Sequence, residues 1–237
     1  MEKRQESLIE HLEALRSTLI KCFAALGIGL LPMFLAAPDC IDLLIRIMTS
    51  GNNISLNYFS PMEVFILQIK TAVVLDILIC SPYIAKNIWE FVLPALHDNE
   101  RRFIRSIVLS SCILFIFGAL FCVFFILPLL INFGLSFATP NIRAVFGVSG
   151  IISTALWLSV VFGLMFQFPL ITRSLIRSGI VSYRSVTGKR PHVIVGILLL
   201  AALLTPPDIV SQLMLAVPTY ALFETSLFFF AAETKIK

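Results

Sequence analysis

Long apolar runs alternate with short polar stretches along this chain, and the lengths of the runs predict its elements. From Ser7 onward, Leu8, Leu12, Leu15 and Leu19 fall on one helical stripe, with Glu13 and Arg16 off it and Ser7 and Glu10 spaced as a capping box. The pattern predicts an amphipathic helix over residues 1–18 that rests its leucines on a membrane interface and continues into a first span, Leu19–Ala37. A loop from Pro38 to Pro61 follows, with a short surface helix over Asp39–Ser50 and a turn-rich return at Asn52, Asn53, Ser55 and Asn57. The second span, Glu63–Ala85, is expected to bend at Pro82.

The third span covers Ser106–Asn132 and is long enough to tilt; the fourth covers Ile151–Thr172. The fifth run, Val193–Leu204, has 12 residues, or about 18 Å of helix against a hydrocarbon layer of about 30 Å. Thr205, Pro206, Pro207 and Asp208 stop it. A sixth run from Ile209 is interrupted by Ser211, Gln212, Pro218 and Glu224 and ends by Ala232. The fold class is therefore an all-α membrane protein with six transmembrane helices, the last two short, in one domain over 1–237. Short spans pinch the bilayer or recruit partners.

Composition supports the class. Of 237 residues 58% are hydrophobic and 14% charged, with a mean hydropathy of +0.95, whereas soluble domains carry roughly 25% charged residues. The start of the chain, with Glu2, Lys3, Arg4 and Glu6, is too polar for a cleavable secretory signal. With the N-terminus inside, the cytosolic segments hold 15 of the 18 Lys and Arg and the outer segments two, Arg46 and Arg143. So lopsided a split predicts both termini in the cytosol.

The stretch from Lys86 to Arg105, KNIWEFVLPALHDNERRFIR, is a charged island between apolar runs. Its carboxylates (Glu90, Asp98, Glu100) on an aromatic and proline scaffold (Trp89, Phe91, Pro94) can present acceptors to a cationic peptide, since a carboxylate accepts an arginine fork through two parallel bonds. The same residues also suit a solvated connector whose bases fix topology. Gln68, Lys70 and Asp76 in the second span read either as a polar path or as internally paired groups. Gln167, in FGLMFQFP, needs a hydrogen-bond partner on another span of this chain or of another protein.

Enzyme motifs are absent from the sequence. His11, His97 and His192 share no metal-ligand spacing, and there is no phosphate-cradling glycine loop. Gly147, Val148, Ser149 and Gly150 spell the G-x-S-G seen around the serine of rhomboid proteases, but a serine needs a base within about 3 Å, and His192 is predicted on the opposite membrane face. The five cysteines (Cys22, Cys40, Cys80, Cys112, Cys122) fall mostly inside spans and imply no disulfide framework.

Taken together, HLEALR (His11–Arg16), SPMEVF (Ser60–Phe65), FVLPAL, ERR, FGLMFQFP, KRP and LLTPPDIVSQLMLAVPTYALFE resemble the TatC family, the large subunit of the twin-arginine protein translocase. The resemblance spans essentially the whole chain, and TPPD followed by SQ and a proline is its most specific piece. It implies a multi-pass protein of the bacterial cytoplasmic membrane that binds twin-arginine signal peptides on folded cargo. It also implies TatA- and TatB-type single-span partners in an oligomeric complex and transport driven by the proton-motive force, without a cofactor or a metal. By position it implies signal-peptide binding at Glu13, Arg16, Phe91 and Glu100, partner docking at Gln167, Thr205 and Gln212, and structural roles for Pro61, Pro82 and Asp208. Gln167 stands where the family commonly has a glutamate. The alternative class is a proton- or ion-coupled small-solute transporter with Lys70, Asp76, Gln167 and Glu224 as a relay, which would show no preference between an arginine pair and a lysine pair.

Overall fold

The computed structural model describes the backbone of residues 2–49, 56–92, 101–137, 145–177, 182–204 and 209–235. These form α1 (Glu2–Thr49), β1 (Leu56–Asn57), α2 (Pro61–Val92), α3 (Arg101–Phe121), a π-helical stretch (Cys122–Ile126), α4 (Leu127–Ser136), β2 (Phe146–Gly147), α5 (Val148–Met165), α6 (Phe168–Arg177), α7 (Tyr183–Gly188), α8 (Arg190–Leu204) and α9 (Ile209–Lys235). Among the described residues, four helical stretches are long and apolar enough to cross a membrane: Leu12–Thr49, Pro61–Phe91, Ser106–Ser136 and Val148–Ile176. Arg190–Leu204 is a shorter apolar helix. The chain is a multi-pass membrane protein.

Two expected loops are shorter than their polarity predicts. α1 runs through Pro32 and Pro38 as one helix of 48 residues, so the span expected to end at Ala37 and the surface helix expected over Asp39–Ser50 are joined. Ala37, Ile41, Leu44 and Met48 are all buried at helical spacing, and this apolar stripe carries the helix past the proline. α2 likewise continues beyond Ala85 to Val92, so Lys86, Trp89, Glu90 and Phe91 are helical rather than part of a loop. Asn87 donates to the Tyr83 carbonyl at 2.7 Å, and Lys86 pairs with Glu90 one turn on at 3.8 Å. Polar residues can thus extend a helix into water.

The chain divides into two compact units, Met1–Ile45 with Tyr58–Ile113, and Arg46–Asn57 with Leu114–Lys237. In the first, α1 and α2 are antiparallel: Phe34 meets Phe65 edge-on at 6.2 Å, Gly29 faces the carboxyl of Asp76, and Ala25 lies opposite Cys80. Pro61 opens α2 at its first position, where a missing N–H costs nothing. Just before it, Phe59 N–H donates to the Glu63 carboxylate at 3.0 Å.

In the second unit, a core of Cys122, Ile126, Leu127, Leu158, Phe162 and Phe166 is completed by Ile197 and Ala201 of α8 and by Leu215 and Ala216 of α9. Gly118 and Gly163 let α3 and α5 cross closely; a Cβ at 118 would lie 2.7 Å from the Phe162 carbonyl oxygen. The π-helical stretch precedes Pro128, and the Leu127 N–H reaches back to the Cys122 carbonyl. β1 and β2 form a two-residue parallel pairing, Leu56 with Phe146 and Asn57 with Gly147, that the hydrophobic pattern does not predict. α9 has 27 residues, about 40 Å of helix, so what is short at the end of the chain is an uninterrupted apolar run rather than the helix.

Candidate functional site

Of the candidate recognition residues, Glu13 and Arg16 lie on α1 and Phe91 in the last turn of α2. Glu13 and Arg16 are exposed and one turn apart on α1, and with Ser17, Ile20 and Lys21 they border a shallow, open hollow. Among the described residues, neither Glu13 nor Arg16 has a side-chain hydrogen bond or ion pair. Descending α1 from Gly29 to Ala25 matches ascending α2 from Asp76 to Cys80, one residue for one. Phe91 is half-buried in the last turn of α2, while Trp89 beside it is buried. Glu100, Asp98 and Pro94 lie outside the described residues.

The candidate docking residues sit in the second unit. Gln167 occupies the break between α5 and α6, two residues before Pro169. Its backbone N–H turns to the Leu164 carbonyl at 3.0 Å, which leaves the Gly163 carbonyl without its usual donor. The Gln167 side-chain amide donates to that carbonyl at 3.4 Å, so this bond is made within its own segment rather than to another span. Gln212 is half-buried in the first turn of α9 and donates to the Leu198 carbonyl of α8 at 3.1 Å. Thr205 and Asp208 lie outside the described residues. Pro82 is within α2, and the Ser81 hydroxyl donates at 2.7 Å to Leu78 O, the carbonyl that a proline at 82 leaves unpaired.

Three arrangements have partners that the sequence does not name. Arg190 of α8 forms an ion pair with Glu224 of α9 at 3.0 Å, and Tyr220 donates to the other Glu224 oxygen at 2.7 Å. Glu224 is thus committed to a helix–helix clamp instead of a relay. Asp76 is buried against Gly29 and accepts from the Cys80 thiol at 3.3 Å. Trp157 of α5 donates to the last carbonyl of α8 at 2.7 Å. The sequence signal for the last is a tryptophan, an obligatory donor, inside an apolar run. Among the described residues no buried side-chain nitrogen or oxygen lacks a partner, and no group of three or more metal-ligating residues comes together. Gly147 precedes α5 and Ser149 stands in its first turn, where Ser149 makes no side-chain hydrogen bond among the described residues.

Comparison with known proteins places this arrangement. The family model described as Sec-independent protein translocase protein (TatC) matches residues 10–218. A Sec-independent protein translocase protein TatC from Carboxydothermus hydrogenoformans is 33% identical over 229 residues, covering 96% of this chain and 94% of the relative. The TatC of Escherichia coli K12 is also 33% identical, over 94% of this chain and 88% of its own length. The crystal structure of the twin arginine translocase receptor TatC in DDM superposes with a TM-score of 0.83 at 31% identity, covering 92% of this chain and 98% of that one. The chain belongs to the TatC family of Sec-independent protein translocase proteins.

Proposed function

We propose that this chain is the membrane receptor and core subunit of a twin-arginine translocase in a bacterial cytoplasmic membrane. It recognises signal peptides by binding alone, without covalent chemistry. The observation that carries the reading is the likeness, over nearly the full length of both chains, to a solved structure described as the twin arginine translocase receptor. The proposed arrangement is one membrane domain with six crossings, α8 and α9 being the fifth and sixth, and both termini in the cytosol. The uneven placement of Lys and Arg supports it. Reporters fused after Asn57, Asn141 and Asp208 are expected outside, and those after His97, Ser185 and Lys237 inside.

In this reading the arginine pair meets Glu13 and Glu100 at the cytosolic surface, flanked by Arg16 and Phe91. The exposure of Glu13 and Arg16 on α1 supports it, and a carboxylate holds a guanidinium through paired charge-assisted bonds. TatA- and TatB-type helices dock by Gln167, Thr205 and Gln212, where α8 is short and the bilayer thins. Pro61, Pro82 and Asp208 hold the frame.

The test is binding of the purified chain to a signal peptide with two arginines against the same peptide with two lysines. Preference for arginine is expected, and Glu100→Lys should abolish binding while the protein stays in the membrane. Equal binding of the two peptides would refute the receptor reading.

A further inference from the structure

Trp157 makes a bond that none of these roles uses. Its indole N–H donates at 2.7 Å to the carbonyl of Leu204, the last residue of α8, across 47 positions of sequence. A helix leaves its last four carbonyls without partners of its own, and in hydrocarbon no water replaces them. Tryptophan suits the position, being a donor only, carried on a rigid apolar ring.

On the six-crossing arrangement proposed above, two lengths put this bond inside the membrane. The 15 residues of α8 reach about 22 Å, so a helix starting at the inner boundary with Arg190 stops about 8 Å short of the outer edge of a layer of about 30 Å. Trp157 is six residues, or about 9 Å, inward of Ile151, where the apolar run of the fourth span begins. For helices along the membrane normal the two depths coincide. α8 is also tied at two other levels, by Gln212 at Leu198 and by Glu224 at Arg190.

We propose that Trp157 is a positioning residue that caps α8 within the hydrocarbon layer, so that the helix ends below the outer surface instead of being drawn out to it. On the receptor reading above, on which this one clause rests, the cap also fixes the end of α8 against which a partner helix docks.

The test uses the full chain in phospholipid vesicles. The chain has two tryptophans, so Trp89→Phe leaves Trp157 as the sole emitter. Its fluorescence is read against lipids brominated at different acyl depths. Stronger quenching by mid-chain bromine than by bromine beside the headgroup is expected; the reverse order overturns the proposal. Next, Trp157→Phe keeps a ring and removes the donor. Amide hydrogen exchange in the last turn of α8 should quicken about 3- to 17-fold, the equivalent of one interhelical hydrogen bond, with the first turn of α8 unchanged. Unchanged exchange in the last turn overturns the cap. Neither readout depends on signal peptides, so loss of arginine-pair preference would sink the receptor reading and leave the cap standing.

Discussion

The α1–α2 contact and the α3–α5 contact both depend on a glycine, and they use it differently. At Gly29 the vacant side-chain position is taken by the carboxyl of Asp76, a polar group reaching out from α2. At Gly118 it is taken by the backbone of α5, the Phe162 carbonyl and the Gly163 Cα. Small residues let helices approach in a membrane, where packing and hydrogen bonds replace the hydrophobic effect between helices. A side chain that fills the gap can swing away, whereas a backbone cannot. The first contact is adjustable and the second is rigid.

The largest effect should follow from breaking the rigid contact. A Cβ at 118 meets the Phe162 carbonyl at 2.7 Å and the Phe166 ring at 2.9 Å. Gly118→Ala should cost about 2–3 kcal/mol, the upper range for overpacking, read as a fall in the thermal unfolding midpoint in detergent. Gly163→Ala should cost less, because its collision is with the Phe115 ring, which can turn. An equal loss at both positions would show that ring and backbone yield alike.

The adjustable contact should give a smaller and rescuable effect. Gly29→Ala should cost about 1–2 kcal/mol by pushing the Asp76 carboxyl aside. With Asp76→Ala as well, the loss from Gly29→Ala should largely vanish, a coupling that a double-mutant cycle measures. Additive losses would mean that Asp76 is not what fills the space at Gly29.

This contrast also marks where the sequence is legible. Hydropathy locates the bilayer, so the third and fourth spans were readable from Ser106 and Ile151 onward. It does not locate helix ends in water, so Lys86 to Phe91 read as loop although a Lys86–Glu90 pair and the Asn87 amide support another turn of helix. Glu13 and Arg16 stood out by falling off the leucine stripe. Phe91 stands half-buried in the last turn of a helix, which the local polarity of its stretch does not encode. Asp76 reads from the sequence either as part of a polar path or as an internally paired group, and Glu224 only as a relay group of the alternative class. Their partners, a glycine and the base at the start of α8, are visible only in three dimensions.

A smaller effect tests how each unit treats a proline. In α2 the Ser81 hydroxyl bonds the Leu78 carbonyl that Pro82 leaves open, and the helix continues. Ser81→Ala should cost about 1 kcal/mol, the worth of one hydrogen bond, in the same unfolding measurement. Adding Pro82→Ala restores a backbone N–H, so the double variant should recover that loss. No recovery would mean that the hydroxyl matters for something other than the open carbonyl.

The smallest effect belongs to the other proline, where Phe168 precedes Pro169 and offers no donor. Here the helix breaks, and the Gln167 amide reaches the Gly163 carbonyl over a long 3.4 Å. Gln167→Leu should therefore cost only about 0.6 kcal/mol, the average for a hydrogen bond between groups in a membrane bundle. Gln167→Glu sharpens the point: a protonated carboxyl can donate to Gly163 as the amide does, and an ionised one cannot. The Glu variant should match the wild type at low pH and fall to or below the Leu variant as pH rises and the proton leaves. Wild type and Leu should keep a constant gap across the same range. If the Glu and Leu variants run parallel at every pH, the donor at 167 does not close the break, and the turn at Phe166 and Gln167 is held by packing of Phe166 against Phe117 and Phe121.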